Sequence, residues 1–412
     1  MTITMEGRDL SMEQRLMVQT CRDYVAGVVR PFIRSHREQE WVWDPDARLP
    51  ASVLEEADAA GLRSLGVPED YGGVDLEPGT EAQTFALIAT ELARGDVGLA
   101  DKLAQNWKIS VLLRNLAPKH LQDVWFPRYM ADPSFLMAHC LTEPKGASDR
   151  WLPYNVPEAN MDTKAVETDG QWVINGRKQF ISNGYDASLY VVYANTNPAV
   201  GMLQGTSSFL VPRDTSGLKV TRCNETIGGR YMNNGEIEFT DCGVPADHLL
   251  ALDDALGKAG VYFQPGKILQ GAKNLGIGLA AFEETAQYVQ DRVQGGRPLV
   301  QHQAVALRLA QMSIKLDAVS ALVRQAARAV DEGWPEANRL CNEVKVFTSQ
   351  EVFEVCTNAM ELHGGSGSMI ETGIEKYLRD ASVFLHMDAT VDISCFKIVK
   401  ELFPETAGTY AG

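Results

Sequence analysis

The stretch QWVINGRKQFISNG, residues 171–184, alternates aromatic or β-branched residues with polar ones, which is typical of a β-strand. An Asp-Gly pair precedes it and Asn-Gly pairs interrupt and end it, and such pairs mark turns. Further short runs of the same character follow it: ASLYVVYANT, SSFLVPRD, LKVTRC and EIEFTD. The sequence therefore predicts a small β-domain over residues 138–253.

The chain on both sides of this region has helical character. Near the N-terminus, SMEQRLMVQTCRDYVAGVVRPFIRSHREQE spaces its apolar residues with helical period, and Ser11 with Gln14 predicts a capping box. Beyond residue 254, long stretches carry a broad apolar face, as helices of a bundle do. We expect a mostly α, α+β fold with a helical domain (1–137), a middle β-domain (138–253) and a C-terminal helical bundle (254–412).

Composition limits the class of protein. The 412 residues are 45% hydrophobic and 22% charged, which is typical of a globular protein. The net charge of −16, with no basic stripe, argues against nucleic acid and anionic membranes as partners. Seven dispersed cysteines without a CxxC pair indicate reduced thiols and no metal site, and the N-terminus lacks the apolar core of a signal peptide. A cytoplasmic protein is expected.

Two short motifs could carry chemistry. LTEPKGASD (141–149) offers hydroxyl and backbone N–H groups that could bind an anion, or it could simply close a loop. ELHGGSGS (361–368) could cradle a phosphate or adenine, or it could be a helix C-cap followed by turns. The usual nucleotide and hydrolase motifs, GxGxxG, GxxxxGK[ST], HExxH and GxSxG, do not occur.

Taken in order, five segments resemble the signature motifs of the acyl-CoA dehydrogenase family, and the resemblance runs from about residue 12 to 402. The segments are GLRSLGVPEDYGGVDL, CLTEPKGASD, VINGRKQFISNG, DRVQGGRPLVQHQAVALRLAQM and LHGGSGSMIETGIEKYLRDA. The resemblance implies FAD bound between the β-domain and the bundle, and an acyl-CoA thioester substrate. A carboxylate would take the α-proton while the β-hydrogen leaves as hydride to flavin N5, giving a 2-enoyl-CoA. Electron-transfer flavoprotein as the acceptor and a homotetramer, with a dimer left open, are further expectations.

The resemblance singles out Asp388 as the catalytic base. In SVFLHMDATVDIS (382–394), MDAT aligns with the family's YEGT, whose Glu is the commonest base. A second group in the family carries its Glu earlier, where this chain has Gly266 followed by Lys267. Apolar sequence neighbours are expected to desolvate the Asp388 carboxylate and to raise its pKa. The alternative is that Asp388 caps a bundle helix, and Asp is shorter than Glu by roughly 1.5 Å.

The resemblance implies further roles by position. Lys267 would lie near CoA, Ala389 would contact the substrate, and Asp101 lies where the acyl pocket floor forms. Asp101 is also a fallback base, and with Lys102 it hints at a polar or cyclic acyl group. The implied contacts to the flavin and the pantetheine are Leu141, Thr142 and Ser148, and Ser148 would also meet the thioester. Phe180 would cover the isoalloxazine, Ser182 would bond near N5, and Arg292 would bind the pyrophosphate of a neighbouring subunit's FAD. The remaining implied cofactor contacts are His302, Gln303, Glu361, Gly364 and Gly365, together with Thr390 and Asp392, which follow the base.

Two alternatives stay open from the sequence. A nitroalkane-oxidase-like flavoenzyme of the same fold also uses an Asp at this position, so Asp388 does not distinguish it. A catalytically silent flavin-binding relative is the other alternative, and the lack of a basic patch argues against its nucleic-acid-associated branch.

Overall fold

The computed structural model describes residues 10–74, 76–146 and 156–405. Its first part is helical: α1 Met12–Tyr24, α2 Arg30–Ser35, α3 Ala51–Ala59, α4 Glu81–Gly95, α5 Val97–Leu116 and α6 Lys119–Ala131. The predicted capping box begins α1, since Gln14 N donates to Ser11 Oγ and Ser11 N donates to Gln14 Oε1, both at 3.2 Å.

Helix α5 runs through the interior of the protein. Asp96 caps its N-terminus by accepting a hydrogen bond of 2.9 Å from Leu99 N. Every residue from Val97 to Leu113 is buried, and several of them are polar or charged. Because buried polar groups need partners, the polar side chains of α5 are expected to be paired or to face a cavity.

The described residues in the middle of the chain form one sheet of eight strands. The strands are β1 Met137–Cys140, β2 Lys164–Thr168, β3 Gln171–Ile181, β4 Leu189–Asn195, β5 Thr206–Pro212, β6 Leu218–Asn224, β7 Asn234–Pro245 and β8 Leu249–Ala251, with a short helix α7 Met202–Gly205 before β5. The order is β6-β7-β3-β2-β4-β5-β8, and β1 pairs with β4 in parallel. The stretch QWVINGRKQFI, predicted to be a strand, forms β3, which pairs antiparallel with β2 and β7.

The last part of the chain is a helical bundle with a small hairpin. Its elements are α8 Ala255–Lys258, α9 Gly260–Asp291, β9 Val293–Gln294, β10 Arg297–Pro298, α10 Gln303–Asp331, α11 Ala337–Leu362, α12 Ile374–Phe384 and α13 Val391–Leu402. Helix α9 is central, since it packs against α4, α5, α10, α11 and α12. This helical, sheet, helical order is the one expected from the sequence. No helix in the described part of the chain is long and apolar enough to cross a bilayer.

The cysteines agree with the expectation of reduced thiols. All seven lie within the described residues and none forms a disulfide. Burial raises the pKa of the Cys140 and Cys341 thiols to about 12, so these two are held in the thiol form.

Candidate active site

A cavity of about 420 Å³ lies where the sheet, α5, the start of α9 and the α12–α13 loop meet. Its walls come from segments that are far apart in the sequence. The described lining residues are Asp101, Gln105, His139, Leu141, Thr142, Phe180, Ile181, Ser182, Thr226, Gly228, Gly229, Met232, Asn234, Tyr262, Phe263, Asp380, Val383, Phe384, His386, Met387, Asp388, Ala389 and Thr390.

The cavity brings together eight of the residues singled out from the sequence: Leu141, Thr142, Phe180, Ser182, Asp101, Asp388, Ala389 and Thr390. Leu141 and Thr142 follow β1, and Phe180 and Ser182 lie at the end of β3. Asp388, Ala389 and Thr390 belong to the loop between α12 and α13. The residues expected on the flavin side and the expected base therefore share one cavity.

Phe180 presents an aromatic face to the cavity. The pairing of β3 with β7 shifts register between Lys178 and Ile181, and such a bulge re-aims the side chains within it. Phe180 has a left-handed backbone, φ 57°, and its side chain is 60% exposed. This conformation is strained for a bulky residue, and strain of this kind concentrates at ligand sites.

The loop with Asp388 also has an unusual backbone. Asp388 and the following Ala389 both have positive φ, 52° and 85°. Thr390, with extended backbone, is the N-cap of α13 and accepts a hydrogen bond of 3.4 Å from Ile393 N. The capping role considered for Asp388 therefore belongs to Thr390.

The Asp388 side chain is exposed, so the expectation that apolar neighbours desolvate it is wrong for the protein alone. The left-handed backbone at Asp388 and Ala389 is the physical reason, because it turns the chain away from the direction of α12. Phe384, its apolar neighbour in sequence, is instead buried. The carboxylate lines the cavity rather than a dry core.

Three buried side chains from the bundle donate hydrogen bonds to this loop or to the end of the helix before it. The ammonium of Lys345, on α11, donates to the carbonyl oxygen of Phe384, and Ser349 Oγ donates to the same oxygen at 3.0 Å. Gln270, on α9, donates through Nε2 to the carbonyl oxygen of Met387 at 2.9 Å. Both Lys345 and Gln270 are almost fully buried. Hydrogen bonds from α11 to Phe384 and from α9 to Met387 thus hold the start of the loop.

Burial gives Lys345 an unusual charge behaviour. The pKa of Lys345 is lowered to about 7, chiefly by desolvation; the negative charge of Asp388 opposes this shift and the nearby Lys267 ammonium adds to it. Lys345 therefore senses Asp388 electrostatically as well as supporting its loop through the backbone.

The inner wall of the cavity is polar. Asp101 and Gln105, on α5, line it, and Tyr262, on α9, faces them. The Asp101 carboxylate forms an ion pair with Lys273, and Gln105 Nε2 donates to the Tyr262 hydroxyl at 2.9 Å. These two contacts link α5 to α9.

His139 fixes the position of the Tyr262 ring. The two rings stack with centroids 4.1 Å apart and 11° between their planes. The Lys108 ammonium lies over the same ring, 4.9 Å from its centroid. A cation and an aromatic neighbour together restrain a tyrosine whose hydroxyl is already bonded.

Lys267, which was expected to lie near CoA, does not line the described cavity. The described lining residues do not include it, and its ammonium donates to Asn342 Oδ1 on α11. Lys267 lies on the face of α9 that packs against α11, whereas Lys273 lies on the face toward α5. One helix cannot direct both positions to the same side.

The residues expected at the phosphate and adenine end form a separate group at one end of the bundle. Arg292 directly follows α9, His302 and Gln303 lie at the start of α10, Glu361 is in the last turn of α11, and Gly364 and Gly365 follow that helix. His302 Nε2 lies 3.0 Å from the carbonyl oxygen of Gln294, and Arg308 forms an ion pair with Glu361. This group and Asp392, in the first turn of α13, are absent from the described cavity lining, and Ser148 lies outside the described residues.

Sequence reasoning did not identify Gln105, His139 or Tyr262. For Gln105 a signal existed. Asp101, Gln105 and Lys108 follow one another at spacings of four and three in an otherwise buried helix, which places all three on one face. For Tyr262 the hydrogen bond to Gln105 crosses 157 positions, and no local pattern predicts it.

The cavity suits a flat aromatic cofactor. Phe180 supplies an exposed ring face, and Thr142 and Ser182 supply side chains with hydroxyl groups to the lining of the same cavity. Within residues 10–74, 76–146 and 156–405, no group of three His, Cys, Asp or Glu side chains could hold a metal ion. The residues present thus fit the isoalloxazine of FAD.

Comparison with known families covers nearly the whole chain. The family models for the acyl-CoA dehydrogenase N-terminal, middle and C-terminal domains match residues 11–132, 138–242 and 259–403. A cyclohex-1-ene-1-carbonyl-CoA dehydrogenase of Geobacter metallireducens is 30% identical over 91% of this chain and 94% of its own length. A probable acyl-CoA dehydrogenase of Bacillus subtilis is 29% identical over 96% of this chain and 99% of its own length.

Solved structures agree on the architecture. Butyryl-CoA dehydrogenase from Megasphaera elsdenii has a TM-score of 0.86 at 24% identity, covering 97% of this chain and all of that one. The fold class, the FAD cofactor and the acyl-CoA dehydrogenase activity expected from the sequence are thereby confirmed, and the two alternatives are not favoured. The chain belongs to the acyl-CoA dehydrogenase family.

Proposed function

We propose that Asp388 is the base that takes the α-proton of an acyl-CoA thioester in the cavity. The observation that carries this proposal is the shared cavity: Asp388 faces the same space as Phe180, Thr142 and Ser182, although they come from different domains of the chain. A base must lie within hydrogen-bond reach of the proton that it abstracts, and a shared cavity is the first condition for that.

The chain's own residues divide the work. Phe180 would cover one face of the flavin, and Thr142 and Ser182 would bond to its polar edge. When bound there, FAD supplies an acceptor for the hydride that leaves the β-carbon. The α-proton passes to a carboxylate oxygen of Asp388, and Ala389 would contact the thioester next to it.

The shorter reach of Asp is met by the shape of its loop. The positive φ angles at Asp388 and Ala389 turn the carboxylate out into the cavity, and Lys345 and Gln270 hold the loop in that shape. Because a misplacement of about 1 Å can cost on the order of a hundredfold in rate, these tethers are part of the proposed mechanism.

Asp101 is the second carboxylate in the cavity and remains the competing candidate for the base. Its carboxylate is already engaged by the Lys273 ammonium in a buried ion pair. Accepting a proton there would leave Lys273 as a buried charge without its counter-ion, which is costly. This difference favours Asp388.

The pyrophosphate and adenine end of FAD is assigned to residues outside the described cavity lining. We assign the pyrophosphate to Arg292 of a neighbouring subunit in a homotetramer, with His302, Gln303, Glu361, Gly364 and Gly365 beside it. The position of this group, away from the described cavity lining, supports an intersubunit role. Ser148 toward the thioester, Asp392 near the flavin and electron-transfer flavoprotein as the acceptor complete the proposal.

The test is anaerobic mixing of the FAD-loaded protein with acyl-CoA thioesters while the flavin's visible absorption is followed. Bleaching by at least one thioester, with the 2-enoyl-CoA recovered, is the expected result. A yellow protein that no thioester bleaches, but that consumes oxygen with nitroalkanes, would support the nitroalkane-oxidase-like alternative instead.

A further inference from the structure

We infer that the site takes thioesters of compact acyl groups, short, branched or with a single ring, and excludes long linear chains. The inference rests on the proposed function, because it assumes that the thioester's α-carbon lies at Asp388. It follows from how α5 and α9 are joined behind the cavity.

An acyl chain that extends from Asp388 toward α5 and α9 meets Gln105 and Tyr262. Their hydrogen bond of 2.9 Å crosses directly from one helix to the other. Only 5% of Gln105 and 6% of Tyr262 are exposed, so the pair forms a closed wall and not a loose flap. A long chain could pass between the helices only by breaking this bond.

A second link closes the wall beside the first. Asp101, one turn before Gln105 on α5, is paired with Lys273 on α9, and both side chains are buried. Separating a buried ion pair leaves charges without compensation, which costs more than burying a few methylene groups returns. The two links therefore set an end to the acyl pocket.

The Tyr262 ring cannot easily swing aside to admit a longer chain. His139 stacks on it at 4.1 Å, and the Lys108 ammonium lies 4.9 Å from its centroid. Rotation of the ring would give up the stack, the cation contact and the Gln105 hydrogen bond together. Such coupled contacts make a stiff boundary.

Gly266, on α9, does not open a passage through this wall. A Cβ built on Gly266 would lie 3.4 Å from the Lys108 side chain, which is van der Waals contact, so Lys108 lies close against α9 at this glycine. Behind the polar wall the helices are thus in contact, with Lys108 continuing the polar face of α5. The available room lies in front of the wall.

The experiment compares flavin reduction by butyryl-CoA, cyclohexanecarbonyl-CoA and palmitoyl-CoA under anaerobic, single-turnover conditions. The native protein is expected to react with one or both compact thioesters and at least about tenfold more slowly with palmitoyl-CoA, the cost of one buried hydrogen bond. Gln105→Ala opens the wall and is expected to raise the palmitoyl-to-butyryl ratio about tenfold or more. Asn115→Ala, which removes an amide side chain from the exposed end of the same helix and outside the described cavity lining, is the matched control and should leave that ratio unchanged.

Binding gives a second readout that does not need turnover. Calorimetry with S-butyl-CoA and S-hexadecyl-CoA thioethers is expected to show tighter binding of the short thioether to the native protein and a smaller difference in Tyr262→Leu. Equal reduction rates for butyryl-CoA and palmitoyl-CoA in the native protein would overturn the inference while leaving the proposed function intact. Failure of every thioester to reduce the flavin would overturn the proposed function, and the inference with it.

Discussion

The ammonium of Lys345 donates a hydrogen bond to the carbonyl oxygen of Phe384, the residue that ends α12 just before the Asp388 loop. Carbonyl groups in the last turn of a helix have no partner within the helix, so a buried amino group that donates there satisfies the backbone. The same lysine senses the charge of Asp388. Lys345 thus links the fold of the loop to the chemistry proposed for it.

Replacing Lys345 should change how stability depends on pH. Burial lowers the pKa of Lys345 to about 7, whereas the unfolded chain holds that proton up to its usual pKa of 10.5. The cost in stability of burying this amino group is full below pH 7, where the lysine is charged in both states, and it falls as pH rises toward 10.5. The free energy of unfolding of the native protein, relative to Lys345→Met, should therefore rise by about 1.4 kcal/mol per pH unit in this window.

Urea unfolding at several pH values measures this slope. Lys164→Met, which removes an exposed lysine, is the control and should show no such dependence. A constant difference between native protein and Lys345→Met from pH 7 to 10 would contradict the assignment of a buried, neutralised lysine.

Removing the second tether should affect turnover more than stability. Gln270→Leu takes away the donor to Met387, and it also removes a buried amide oxygen for which the described residues offer no partner. We expect kcat to fall about tenfold to a hundredfold because Asp388 is less well positioned, with KM little changed. Gln290→Leu, on the exposed side of the same helix, is the control. A kcat within twofold of the native value would show that the tether does not matter.

Phe180 allows strain and cofactor binding to be separated. Phe180→Gly relieves a left-handed backbone that costs a non-glycine residue about 1–2 kcal/mol, and it removes the ring that we place against the flavin. The protein without FAD should become more stable by about that amount, while FAD binds more weakly. Phe180→Ala should weaken FAD binding without the gain in stability. Thermal unfolding and FAD titration test both effects, and unchanged FAD affinity in both variants would contradict the proposed role.

The ion pair in the cavity wall should behave as a buried pair. Asp101→Asn leaves Lys273 without its counter-ion and should destabilise the protein by about 3–5 kcal/mol, and adding Lys273→Met should recover most of that loss. The exposed pair of Lys119 and Asp123 is the matched control, where Asp123→Asn should cost less than about 1 kcal/mol. Equal, small costs in denaturant unfolding would mean that the wall is open to water.

Local patterns predicted the elements but not the site. The Ser11–Gln14 capping box and the alternation in 171–184 depend on residues close in sequence, and both are found as predicted. Thr142, Phe180 and Asp388 came together only through the family resemblance, because no local rule brings the end of β3 to the α12–α13 loop.

The errors also have physical causes. Apolar neighbours in sequence suggested a desolvated Asp388. The left-handed backbone at Asp388 and Ala389 instead turns this side chain away from those neighbours. Lys267 lies on the α11 side of α9 and not among the described cavity-lining residues, so its expected position near CoA stays a prediction. Gln105 and Tyr262 are partners across two helices, and such partners are known only once the helices are packed.

The central claim, that Asp388 is the base, is tested most directly by the anaerobic rate of flavin reduction in Asp388→Asn. A general base contributes about a hundredfold to ten-thousandfold, so the rate with the best thioester should fall by that factor while FAD stays bound. Asp123→Asn, which removes an exposed acid outside the described cavity lining, is the control and should keep nearly the native rate, and Asp101→Asn, compared per folded and FAD-loaded protein, should retain much more activity than Asp388→Asn. Flavin reduction in Asp388→Asn at a rate near that of the native protein, or a larger loss in Asp101→Asn, would contradict the account.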